Sequence, residues 1–267
     1  MPTILTNDGV RLHYEEAGSG KPLLLVGGWT MSIPWWQKQI PALSERYRVI
    51  AVDMRGYGES EKPTHGHRVA RHAKDIYDII EGLDLQDVAL MGWSMGASTI
   101  LSYLDLFGSH KLSGAILVDQ TPKILVDAGW KYGMGETTSE TLMAFIAPIR
   151  ANYAVFAKGF IPVMFTRPPT EEEQQWMLAE MLKMPVESAT TVLFDHCNQD
   201  WRDLLPTIKL PVLVLTGKQS QVFPYQSSVW MSEQIPGAKL VIFEHSGHCP
   251  FYEEAEKFNA AVVDFLG

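Results

Sequence analysis

The chain has 267 residues, 46% of them hydrophobic and 20% charged, a globular balance that excludes disorder, collagen and coiled coil as overall descriptions. That length suits one domain with a large insertion, able to bury roughly three quarters of its unfolded surface without a covalent staple. Lys and Arg number 22 against 31 Asp and Glu, a formal charge of −9, with no basic run; nucleic acid and anionic membrane surfaces are therefore excluded as expected partners.

Residues 10–15 alternate apolar and polar, predicting a half-exposed strand. Continuous apolar runs follow at 23–26, 49–52, 88–91 and 115–118, and uninterrupted Val, Ile and Leu predict strands covered on both faces, as in a parallel sheet. Between them Ile76, Ile79, Ile80 and Leu83 recur at helical spacing, as do Ile100, Leu101, Leu104 and Phe107. This order predicts an α/β fold with right-handed crossovers. From 120 to 205 no comparable strand run occurs, the stretch is rich in Met and aromatics, and Thr170 followed by three glutamates marks a helix start. The α/β rhythm returns with a strand at 211–216, a helix at Tyr225–Gln234, a strand at Lys239–Phe243 and a last helix repeating Phe251, Ala255, Phe258, Val262 and Phe265. The expected organisation is a core at 1–119, a helical cap inserted at 120–205 and the rest of the core at 206–267.

Cys197 and Cys249 form no C-x-x-C and no disulfide framework, and are expected as free thiols of a reducing compartment. The opening MPTILTNDGV has neither a basic n-region nor a long apolar run, so it is not read as a signal peptide. No apolar stretch reaches the roughly 18 residues that span a bilayer. A cytoplasmic protein is expected.

The strand at 88–91 runs into Gly92-Trp93-Ser94-Met95-Gly96 and then a helix. G-x-S-x-G alone is weak, since a glycine-bracketed turn is common; strand–turn–helix gives it meaning. On so sharp a turn, side chains two before and two after the serine would collide, and glycine removes them. Ser94 would then be held in a strained conformation with its oxygen above the sheet, and the Met95 N–H, at a helix N-terminus, could face a developing oxyanion.

At these residues the chain resembles the α/β-hydrolase superfamily, and within it the capped esterase and cofactor-free haloperoxidase-like branch. GWSMGA (92–97) is similar to its elbow and VDMRGYGES (52–60) to a loop in which Asp53 and Arg55 read as structural. HSGHCPFYEE (245–254) is similar to the loop that carries the catalytic histidine. The resemblance covers almost the whole chain. It implies a mostly parallel eight-stranded sheet flanked by helices, with a helical cap inserted after the sixth strand.

Serine needs a base within hydrogen-bond reach. His65, His67 and His72 lie in a polar stretch and are expected in solvent; His13, His110 and His196 lie on the first strands, beyond the elbow helix and in the cap. The family's Gly-His pair matches His248, preceded by Gly247, which takes the base role, with His245 as alternative. For the acid the resemblance implies an aspartate in a G-x-x-D turn, but that turn reads Gly217-Lys218-Gln219-Ser220, and serine cannot stabilise an imidazolium electrostatically. Some haloalkane dehalogenases and zearalenone-type lactonases place the acid one strand earlier. There this chain has Asp119, which is the candidate acid; a strand-end contact is the plainer alternative, and Asp127, Asp195, Asp200 and Asp203 are weaker rivals.

In the family the second oxyanion donor follows a His-Gly pair. Here Gly27-Gly28 precedes Trp29, whose N–H is assigned beside that of Met95, an ordinary Gly-Gly loop being the alternative. Trp93, Trp36, Trp130, Phe145, Phe160 and Met164 are the candidate substrate contacts, although side chains at such spacing are more often core. They favour a mainly apolar acyl or ring substrate. Lys123, Lys131 and Arg150 could meet a carboxylate, solvated charge being the plainer reading. His245 and His248 lack a third ligand for zinc, and no phosphate loop or dinucleotide fingerprint occurs, so neither metal nor cofactor is expected. The expected function is ester or lactone hydrolysis through a Ser94 acyl-enzyme. Peroxide use or carbon–carbon hydrolysis on the same residues, and a slow-turnover small-molecule receptor, are the alternatives. Serine at 94 excludes the usual dehalogenase and epoxide hydrolase forms, which need a carboxylate there. Apolar cap residues leave a homodimer open.

Overall fold

A computed structural model describes residues 2–267. Eight strands form one sheet: β1 (Thr3–Leu5), β2 (Arg11–Ala17), β3 (Pro22–Val26), β4 (Arg48–Val52), β5 (Val88–Trp93), β6 (Leu112–Val118), β7 (Val212–Gly217) and β8 (Lys239–Phe243). They lie in the order β1-β2-β4-β3-β5-β6-β7-β8. β2 pairs antiparallel with β1 and β4, and every later pairing is parallel. The Val, Ile and Leu runs of β3, β5 and β7 are buried almost throughout because helices cover both faces. β1, with three residues and no apolar run, had no signal of its own.

The helices are α1 (Ile40–Leu43), α2 (Val69–Gly82), α3 (Met95–Phe107), α4 (Leu142–Ala151), α5 (Tyr153–Val163), α6 (Glu171–Met181), α7 (Val186–Cys197), α8 (Tyr225–Gln234), α9 (Pro250–Glu253) and α10 (Ala255–Leu266). The α2 stripe buries Ile76, Ile79 and Ile80 as its spacing predicts, and α2 packs on α3. Four helices, α4 to α7, stand between β6 and β7. Asn152 ends α4, and its side chain accepts the Val155 N–H at 3.1 Å to start α5. Thr170 and Glu173 close a reciprocal capping box on α6. α7 reaches back to α2, whose Val69 N–H donates to Asp195 at 2.8 Å.

Two expectations change. The last helix is broken at Glu254, whose carboxylate bends back to accept the His245 N–H at 3.1 Å and the Ser246 hydroxyl at 2.6 Å. His67 and His72 are buried, not solvated. Their stretch is polar in composition, but α2 turns His72 inward, edge-on to Tyr57 at 5.8 Å. The loop after β4 is pinned by ions: Arg55 donates to Asp75 at 2.6 and 2.7 Å and to Asp8 at 3.0 Å, while Asp53 accepts the N–H groups of Ile33 and Glu59 at 2.8 Å.

Candidate active site

Ser94 stands between β5 and α3 with φ +54° and ψ −124°, a region that costs a non-glycine residue about 1–3 kcal/mol. Backbone bonds hold it there: Ser94 N–H donates to Val118 O at 2.8 Å, and Ser94 O accepts from Ala97 at 2.8 Å. The two flanking glycines answer two different contacts. A Cβ on Gly92 would overlap the Gly96 carbonyl inside the turn, whereas one on Gly96 would overlap the carbonyls of Val26 and Gly27 at the end of β3. The second glycine thus lets α3 begin against the central sheet.

Asp119 ends β6 with φ +43°, and its N–H donates to Leu215 O on β7 at 2.7 Å. Its buried carboxylate accepts four bonds. Oδ1 takes His248 Nδ1 at 2.8 Å and Ser220 Oγ at 2.9 Å; Oδ2 takes Gly217 N–H at 2.9 Å and Thr216 Oγ1 at 3.1 Å. Donation from Nδ1 leaves the lone pair of a neutral ring on Nε2. His248 is buried and fastened at its backbone, its N–H donating to Met164 O and its carbonyl accepting from Trp93 Nε1, both at 2.8 Å. Trp93 also packs its ring on the imidazole at 5.3 Å, and Phe223 stands edge-on at 5.6 Å. The residue preceding Ser94 is therefore bonded to the loop of His248. Among the described residues His248 bonds to Asp119 and not to Ser94.

The Gly27-Gly28-Trp29 loop lies against the serine, since a Cβ on Gly28 would sit 3.1 Å from Ser94 Cβ. Among the described residues, the N–H groups of Trp29 and Met95 donate to no carbonyl. The Trp29 indole donates to Ala189 O on α7 at 2.8 Å, and its ring meets Tyr153, Phe156 and Phe160 of α5 at 6.1, 6.1 and 6.3 Å. A loop without the family's histidine is thus fastened by its own tryptophan. Nothing in the sequence signals this, because Ala189 is a featureless helix residue.

The candidate contacts divide. Phe145 and Phe160 join Trp29 in one aromatic cluster through Phe156, 6.1 Å from Phe145 and stacked on Phe160 at 5.8 Å. Phe156 and Tyr153 were not singled out as contacts. Met164 is fully buried and supplies the carbonyl that holds His248. Trp93 and Trp36 are also buried, packing on Phe251 at 4.7 and 4.8 Å, so they support the His248 loop. Trp130 stands against Trp230 at 4.9 Å and donates to Lys123 O at 2.8 Å, outside that cluster.

Three of the rival carboxylates are engaged elsewhere, Asp195 by the Val69 N–H at 2.8 Å. His245 is exposed. Asp127 pairs with Lys123, and Asp200 with Arg202 at 2.7 Å. Both cysteines are buried, burial pushing the Cys197 thiol up to about 12, so neither offers a ready thiolate. Among the described residues no helix is long and apolar enough to cross a membrane.

A family model described as "alpha/beta hydrolase fold" matches residues 21–255. The chain is 30% identical to the AB hydrolase superfamily protein YisY of Bacillus subtilis, covering 98% of this chain and 97% of that one. It is 29% identical to the non-heme chloroperoxidase CPO-A1 of Kitasatospora aureofaciens, covering 100% and 99%. Among solved structures, an esterase from Exiguobacterium antarcticum superposes with a TM-score of 0.93 at 32% identity, covering 98% of each chain.

Proposed function

The chain belongs to the alpha/beta hydrolase fold family, and on that premise we propose that it is a serine hydrolase cleaving carboxylic esters or lactones with an apolar acyl or ring group. The observation that carries the reading is the buried carboxylate–imidazole pair Asp119–His248, bonded through Trp93 to the turn that strains Ser94. In this reading His248 Nε2 takes the Ser94 proton as Oγ attacks the carbonyl carbon, and the N–H groups of Trp29 and Met95 receive the developing oxyanion. His248 returns the proton to the leaving alkoxide, giving an acyl-Ser94 enzyme. Water, deprotonated by His248, then attacks the acyl carbon, and the proton returns to Ser94 as the carboxylic acid leaves. Asp119 holds the imidazole and stabilises its cation without itself taking the proton.

The aromatic cluster of Trp29, Phe145, Phe156 and Phe160 supports an apolar acyl or ring guest. Helices α4 to α7 serve as a cap over the sheet in this reading, with 120–205 as its extent. The similarity to a non-heme chloroperoxidase supports a second use of the same acyl-enzyme, in which hydrogen peroxide replaces water and leaves as a peracid.

The test is labelling by a fluorophosphonate together with turnover of p-nitrophenyl acetate. Wild type is expected to label and to show steady turnover, and Ser94→Ala to lose both, with kcat falling at least about 10³-fold. Labelling without steady turnover would favour a receptor, and unchanged turnover in Ser94→Ala would end the reading.

A further inference from the structure

The serine at the end of the Gly217–Ser220 turn is not idle. Ser220 Oγ donates at 2.9 Å to Asp119 Oδ1, the same oxygen that takes His248 Nδ1 at 2.8 Å. The other carboxylate oxygen is held by Thr216 and Gly217. Three of the four donors to this carboxylate thus come from residues 216–220, and the fourth is the imidazole. Asp119 leans from β6 across to the β7 turn, a posture fixed by its positive φ and by its N–H on Leu215 O. Two donors on one oxygen share its charge. A neutral hydroxyl fixes the carboxylate plane without cancelling that charge, while tempering its hold on an imidazolium.

We propose that Ser220 is a positioning residue that acts on His248 through Asp119. The proposal rests on the serine-hydrolase reading. Ser220 Oγ is itself steadied by the Phe223 N–H, which donates to it at 3.4 Å.

The experiment is the pH profile of kcat/KM on a p-nitrophenyl ester for wild type, Ser220→Ala, Ser220→Thr and Asp119→Asn. Without the hydroxyl, the carboxylate holds the imidazolium more strongly, so the base form appears only at higher pH. Ser220→Ala is expected to move the acid limb upward by several tenths of a pH unit and to lower the plateau a few-fold, while Ser220→Thr restores the limb. Asp119→Asn, of equal shape and tolerant of positive φ, is expected to lose at least about 10³-fold. An unmoved acid limb in Ser220→Ala overturns the positioning role. Ser94→Ala reports independently on the nucleophile. Full activity in Asp119→Asn would sink both this proposal and the triad on which it stands.

Discussion

Gly96 shows how much one hydrogen atom can hold at the residue scale. Its Cα lies so close to the carbonyls of Val26 and Gly27 that any side chain would push α3 away from β3. The movement would carry the Met95 N–H and the Gly28 loop apart. Gly96→Ala is expected to cost about 1–3 kcal/mol in chemical denaturation and, if the two N–H groups act on the transition state as proposed, to lower kcat more than KM. Ser94 and His248 were legible because the signals that mark them, G-x-S-x-G and Gly-His, span only a few residues. Asp119 was a candidate only through the resemblance, whose relatives include some with the acid one strand before the 217–220 turn, and the structure sets it 2.8 Å from His248 Nδ1. The work of Ser220 was not readable, because its hydroxyl meets a partner 101 residues away and one serine looks like another in a list.

At the scale of elements, buried strands announce themselves and bent helix ends do not. The apolar runs gave β3 to β7 to within a few residues, because coverage on both faces admits little else; β8, half-buried at the sheet edge, is legible from its apolar run alone. The break between α9 and α10 was hidden, since a single apolar repeat runs through it and tertiary bonds make the bend. Those bonds have a purpose. Glu253 accepts the Thr166 N–H and hydroxyl at 2.7 and 2.6 Å on one oxygen and the Gly247 N–H at 2.7 Å on the other. It therefore ties the segment between α5 and α6 to the loop of His248. Glu253→Ala would strand the two N–H groups and is expected to cost about 2 kcal/mol or more. A fall in kcat/KM beyond the loss of folded protein, measured below the melting range, would show that the loop needs this clamp; unaltered kinetics would show that Met164 and Trp93 hold His248 without it.

For the molecule as a whole, the buried histidines set a limit on the acid side. Burial lowers His196 to about 3, and burial with Arg55 nearby holds His72 well below the ordinary 6.5. Both rings stay neutral in the folded state while the unfolded chain takes up their protons below about pH 6.5. Their neutral forms thus fit the native protein above that pH, and stability is lost as pH falls from 6.5 toward 3, by up to about 1.4 kcal/mol per pH unit for each ring. Urea unfolding at pH 7 and 5.5 measures it: His196→Gln is expected to lose about 1 kcal/mol less than wild type between the two. An identical loss in both proteins would mean that the ring is protonated in the fold.

The four helices between β6 and β7 leave and rejoin the sheet on adjacent strands, paired at Ala115 with Val212. The departure and return points are therefore neighbours whatever lies between them. A lineage could exchange that entire excursion for another of different length or lining without re-registering a single strand. Any replacement would still have to offer the two carbonyls that Met164 and Ala189 lend to His248 and Trp29.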